Sequence, residues 1–156
     1  LVLALALIFG GAVVVGSTGD REAGKPSTPS GVPAPAAVLE PAYRPETLEL
    51  VARVVYAECG GIPENGIYAV AQVVQNRHIL WNKSVEEVIF QEGQFAPPYE
   101  GDLPEVWLDA TEEVFLLGVK DFGSNVTHFY NPKKCSPYWA ITKEVVGTRG
   151  GHIFLY

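Results

Sequence analysis

The chain has 156 residues, 47% of them hydrophobic, which supplies one globular domain with a core and excludes a wholly disordered polymer. Its 18 acidic and 11 basic side chains leave a formal charge of −7. That balance lacks the cationic footprint of a nucleic-acid binder.

Residues 1–16 carry no charge and are almost wholly apolar. A spanning helix needs roughly 20 such residues and a signal-peptide core about 7–15, so this run is expected to be a signal peptide or a short membrane anchor. Residues 17–45 are rich in Gly, Ser, Thr, Ala and Pro and read as an extended linker. Its Asp20, Glu22 and Glu40 offset Arg21, Lys25 and Arg44, so the net charge belongs to the expected domain, 46–156. The domain is expected to work outside the cytoplasm: secreted, periplasmic, or held to the membrane by residues 1–16. No oligomeric state is legible.

The first helix is expected to start near Pro45-Glu46-Thr47, with Leu48, Val51, Ala52 and Val55 at i, i+3, i+4, i+7. Gly60 and Gly61 end it. A second helix is expected from near Pro63 to Arg77 or His78, with Ile67, Val70, Ala71 and Val74 on one face. Ser84-Val85-Glu86-Glu87 matches a capping box, opening a third helix through Phe90. A fourth is expected from Leu103 to Gly118, with Val106, Ala110, Val114 and Leu117 at helical spacing. Val126 to Tyr130 and His152 to Tyr156 have strand composition, and Thr148-Arg149-Gly150-Gly151 reads as a turn. Helices first and strands afterwards predict an α+β domain, a helical part followed by a small antiparallel sheet.

Glu58 stands out by position. It lies nine residues beyond Glu49, two and a half helical turns, and so points away from the wet side marked by Glu49 and Arg53. A carboxyl among Val51, Val54 and Val55, at the negative end of the helix dipole, is expected to be held protonated. That is what a general acid requires. The plainer reading is a glutamate at a frayed helix end, turned to water. His78, His128 and His152 are too scattered for a zinc site, and neither metal nor cofactor is expected. Cys59 and Cys135 are either a disulfide, permitted behind an export segment, or two free thiols.

The run Val54-Val55-Tyr56-Ala57-Glu58, then Gly61, Pro63, Gly66 and Ala69 through Arg77, resembles the SleB-like cell-wall hydrolases, the family of spore-cortex-lytic catalytic domains. Gln94-Phe95, Phe129-Tyr130-Asn131-Pro132, Trp139 and Gly151-His152-Ile153-Phe154 follow in the family's order. The resemblance covers the chain from Leu48 onward. It implies a lysozyme- or lytic-transglycosylase-like catalytic domain that cleaves peptidoglycan glycan strands between N-acetylmuramic acid and N-acetylglucosamine. It also implies that Glu58 is the catalytic glutamate and that Gln94, Phe95, Tyr130, Asn131 and His152 are candidate substrate contacts. Read from residues alone, His152 is more simply a satisfied strand histidine, Phe129 a core residue, and Trp107 and Trp139 packing groups. The match further sets Cys59 and Cys135 on loops beside one cleft, where a disulfide could join them.

The departures matter. The family's Ala-Arg-Gly-Glu after the catalytic glutamate is Cys59-Gly60-Gly61-Ile62 here, so its arginine and second glutamate are missing. A lytic transglycosylase needs no second carboxylate; a hydrolase would need one, and Glu64 and Glu92 are the candidates. Two other readings stay open. One is a Cys/His wall peptidase using Cys59 with His128 or His152, which the helix C-terminal position of Cys59 disfavours. The other is a non-catalytic peptidoglycan-binding module.

Overall fold

A computed structural model describes residues 43–156. The expected export or anchor segment and most of the linker lie outside these residues. Within them no helix is long and apolar enough to cross a membrane.

Helix α1 spans Pro45–Cys59, opens on proline, and buries Leu48, Val51, Ala52, Val54 and Val55. It stops where expected. Gly60 sits at φ 64°, and the N–H groups of Gly60 and Gly61 turn back to the carbonyls of Ala57 and Tyr56. Proline and glycine then shape the connection: Pro63–Asn65 form one 3-10 turn, and Gly66 at φ 102° separates it from α2, Ile67–Trp81. The second helix therefore starts later than Pro63 and runs beyond His78.

Helix α2 is central, not amphipathic. Its buried residues include Gln72, Gln75, Asn76 and Arg77 as well as the alanines and valines. Buried amides must find partners. Gln72 Oε1 accepts from the N–H groups of Asp121 and Phe122, Gln75 Nε2 donates to the Val114 carbonyl, and Asn76 Nδ2 donates to the Val126 carbonyl. The bonds of Gln72 and Asn76 fasten the irregular segment that leads into the sheet, and that of Gln75 ties α2 to the end of α4.

Helix α3, Val85–Ile89, carries the expected capping box: Ser84 Oγ accepts from Glu87 N–H, and Glu87 Oε2 accepts from Ser84 N–H. Helix α4, Glu105–Phe115, is shorter than expected and rotated on its axis. Trp107, Ala110, Thr111 and Val114 face inward, while Val106 and Leu117 are exposed. The fully buried indole of Trp107 sets that rotation.

The sheet has three antiparallel strands in the order β1-β3-β2: β1 His128–Tyr130, β2 Val145–Arg149 and β3 His152–Leu155. Phe129 lies opposite Phe154, and Arg149 opposite His152. Strand β2 corrects the reading of Thr148-Arg149 as turn; only Gly150-Gly151 turn. A bulge between Val145 and Gly147 breaks the alternation that would have marked the strand in sequence. Tyr43, placed in the linker by composition, packs edge-on against Phe115 at 4.9 Å and His78 at 5.7 Å.

Candidate functional site

Glu58 lies one residue before the end of α1 and is half-buried at the wall of an open cleft of about 300 Å³. It is not sunk among the valines of its helix, as the period alone implied. The cleft receives Gln94 from the loop after α3, Tyr130 from the end of β1, Asn131 just beyond it, and His152 from β3. Among the described residues Glu58 is the only carboxylate in its lining.

A loop holds this carboxyl. The backbone N–H of Ala96 donates to Glu58 Oε1 at 2.5 Å. The loop itself is clamped by α1: Arg53 Nη1 donates to the carbonyls of Tyr99 and Gly101 at 2.8 and 2.9 Å. Tyr99 N–H returns a bond to the Arg53 carbonyl, and the Tyr56 and Tyr99 rings stack at 4.1 Å. Arg53 is thus a structural clamp as well as a partner of Glu49.

The far end of α1 is fixed through Asn65, whose Nδ2 donates to the Cys59 carbonyl at 2.9 Å. The β2–β3 turn presses directly on that residue. A Cβ on Gly150, at φ 51°, would stand 1.9 Å from Asn65 Cα. Only glycine permits this approach, and it sets β3 and His152 against the end of α1.

His152 is 5% exposed, and its Nδ1 has no partner among the described residues. Burial lowers its pKa, partly countered by the Asn65 carbonyl and the charge of Glu58. It is a cleft residue and not a fully satisfied strand histidine. Phe129 is half-buried: it packs against the core as expected, stacking on Phe154 at 5.6 Å, and also lines the cleft. Trp139 is 41% exposed and lines the same cleft, so packing does not account for it; Trp107 does pack in the core. Phe95 is not among the cleft-lining residues; its ring stands 6.1 Å from that of Phe129 and 4.9 Å from the guanidinium of Arg77.

Lys134 and Pro137 also line the cleft and were not legible in the sequence. They lie on the irregular stretch 131–144, where no period marks a wall. The family motifs at Asn131-Pro132 and Trp139, which bracket the stretch, were the signal that it borders the cleft.

Both cysteines are free, which overturns the expected disulfide. Cys59 is buried at the end of α1 with its Sγ 3.6 Å from the Asn65 carbonyl, whereas Cys135 is exposed at the cleft wall. Burial, and then the charge of Glu58, push the Cys59 thiol up to about 12. A thiol held protonated and outside the cleft lining is no nucleophile, so the peptidase reading falls. Among the described residues no three His, Cys, Asp or Glu side chains cluster to hold a metal ion.

Comparison with known proteins agrees with this geometry. A spore cortex-lytic enzyme of Oceanobacillus iheyensis is 30% identical over 148 residues, covering 89% of this chain and 49% of that protein. One of Bacillus cereus is 28% identical over 116 residues, covering 72% and 45%. The chain spans about half the length of the curated relatives it matches. The catalytic domain of the Bacillus cereus SleB protein superposes with a TM-score of 0.66 at 26% identity, covering 76% of this chain and 95% of that one. The catalytic domain of SleB from Bacillus anthracis, a germination-specific lytic transglycosylase, gives 0.62 at 25% identity, covering 76% and 100%. The α+β fold expected from the sequence is therefore that of these catalytic domains. The Cell Wall Hydrolase family matches residues 61–155, most of the folded part, and the chain belongs to that family.

Proposed function

We propose that this domain cleaves peptidoglycan glycan strands between N-acetylmuramic acid and N-acetylglucosamine as a lytic transglycosylase, with Glu58 as both acid and base. The observation that carries the reading is the single carboxylate in the cleft lining. Glu64 and Glu92, the sequence candidates for a second one, are both exposed and outside it. A two-carboxylate glycosidase needs its pair about 5–9.5 Å apart across the scissile bond.

One carboxyl suffices if the substrate supplies the nucleophile. Protonated Glu58 gives its proton to the glycosidic oxygen, and the bond from C1 to that oxygen breaks with oxocarbenium character at C1. The resulting carboxylate, steadied by Ala96 N–H, takes the proton of the same sugar's 6-hydroxyl. O6 then closes on C1, giving a 1,6-anhydro end and returning Glu58 to its acid form. The attack is effectively intramolecular, which replaces capture of a water.

Tyr130, Asn131 and Gln94 are the proposed contacts to acetamido and hydroxyl groups. The Asn131 Oδ1 atom already accepts from Lys133 N–H, which leaves its amide N–H groups for the ligand. The substrate lies outside the cytoplasmic membrane. The reading therefore includes residues 1–16 as export or anchor segment and 17–45 as tether.

Mass spectrometry of products from purified glycan strands tests this. Muramyl ends lighter by one water and resistant to borohydride are expected. Mainly reducible muramic acid ends would require a second base and overturn the mechanism. Intact strands that stay bound to the wild-type protein would favour the non-catalytic binding module.

A further inference from the structure

Beside the cleft lies a second hollow of about 190 Å³, lined by Arg77, Gln94, His128, Phe129, Trp139 and Lys143 among others. Gln94, Phe129 and Trp139 line both, so the two adjoin. We propose that this hollow is a carboxylate-binding subsite for the glycan strand, with Arg77 and Lys143 as its cationic walls; the proposal rests on the glycan-cleaving reading above.

Arg77 is the observation that carries it. The residue is 3% exposed, and a guanidinium taken that far from water is costly unless it is paired. Its Nε donates to the Thr127 carbonyl at 2.6 Å, and the Trp81 and Phe95 rings stand 4.9 Å from its centre. Yet Nη1 has no hydrogen-bond partner, and no carboxylate among the described residues forms an ion pair with it. The charge of Glu58 reaches it only from the neighbouring cleft, and burial lowers its pKa to about 10, still well above neutrality. Arg77 is therefore a buried, charged fork with one unused, buried donor, and its side chain lines the hollow.

The rest of the lining agrees. Lys143 is the second cation and has no ion-pair partner among the described residues. Among the described residues no carboxylate lines the hollow, although the chain as a whole carries −7. His128 stays neutral there, pushed down to about 4 by burial and by the charges of Lys143 and Arg77. Two cations without an ion-pair partner, lining one small space, call for an anion, and a planar guanidinium suits a carboxylate.

A peptidoglycan strand offers carboxylates in two places. One is the lactyl group of a muramyl residue that has lost its peptide; the other is the stem peptide. A muramyl residue whose lactyl group is closed into a lactam offers none. Trp139 and Phe129 supply apolar surface for the sugar ring that would carry the group.

The test is calorimetric binding to the full chain carrying Glu58→Gln, which keeps strands intact. The ligands are peptide-stripped strands with free lactyl carboxylates, the same strands amidated at those carboxylates, and strands with stem peptides intact. Carboxylate-bearing strands are expected to bind about tenfold tighter than amidated ones, one lost charge-assisted contact. Tight binding of stripped strands assigns the lactyl group; tight binding only of peptide-bearing strands assigns the peptide. Lys143→Ala should shrink the ratio to about twofold, and Lys143→Glu should abolish it. Arg77→Gln should do the same, and Lys143 keeps the test decisive if that variant does not fold. Equal affinities for amidated and carboxylate strands, or binding of none, would overturn the subsite. Cleavage of the same strands by wild-type protein is scored in parallel, so the glycan-cleaving reading stands or fails separately.

Discussion

The Glu58 carboxyl is held by the backbone N–H of Ala96, 38 residues further along the chain, at 2.5 Å. That bond ties the end of α1 to the loop after α3. The loop's other anchor is Arg53, on the same helix little more than one turn earlier. One helix thus positions both this carboxyl and the loop that holds it.

Glu58→Gln keeps the shape of the side chain and loses the transferable proton. Its circular dichroism should match wild type, while glycan digestion should fall by about 10²–10⁴-fold. Comparable digestion by the two proteins would remove Glu58 from the chemistry.

Arg53→Ala removes two charge-assisted bonds to loop carbonyls, one of them exposed. Urea denaturation should show a loss of about 1–3 kcal/mol. Activity should fall further than stability accounts for, because the loop bearing Ala96 and Gln94 loses its clamp. Unchanged kcat with reduced stability would limit Arg53 to a purely structural part.

Gly150 and Gly151 separate two causes of strain. Both have positive φ, but only Gly150 meets a neighbour, the Asn65 backbone at 1.9 Å from a built Cβ. Gly151→Ala should cost about 1–2 kcal/mol for the left-handed conformation alone. Gly150→Ala should cost clearly more and displace His152 from the cleft. Equal thermal shifts in the two variants would mean that the turn relaxes away from Asn65 without penalty.

Thiol reagents should modify Cys135 and spare Cys59, whose thiol is buried and pushed up to about 12. A bulky adduct on Cys135 should block the cleft and inhibit the wild-type protein. The Cys135→Ser variant should resist the same reagent, which would trace the inhibition to obstruction. Inhibition persisting in Cys135→Ser would mean that Cys59 becomes accessible.

His128 gives a pH signature. Its pKa falls from the ordinary 6.5 to about 4 in the folded protein, through burial and the charges of Lys143 and Arg77. Between those values the unfolded chain binds more protons, so stability rises with pH across this window and falls as pH drops through it. His152 shifts in the same direction. His128→Gln should flatten the dependence of Tm between about pH 6.5 and 4, leaving the part due to His152. A wild-type profile flat across that window would contradict the burial of these imidazoles.

Local rules carried much of the architecture. The apolar period of α1, its stop at Gly60-Gly61, the Ser84 capping box and the β composition around residues 128 and 152 all act over a few residues. They are therefore legible without tertiary contacts. The period likewise turned Glu58 away from Glu49, and the ordered motifs identified the family.

What the tertiary structure decided is how distant segments meet. The rotation of α4 depends on where Trp107 finds room, and the bulge at Val145–Gly147 hides β2 from any alternation rule. Cys59 and Cys135 are both free, one buried and the other exposed, a difference in burial that no cysteine spacing encodes. The irregular wall at 131–144 and the unused donor of Arg77 arise only from packing. Burial and partner geometry are properties of the assembled chain, and no period in the sequence encodes them.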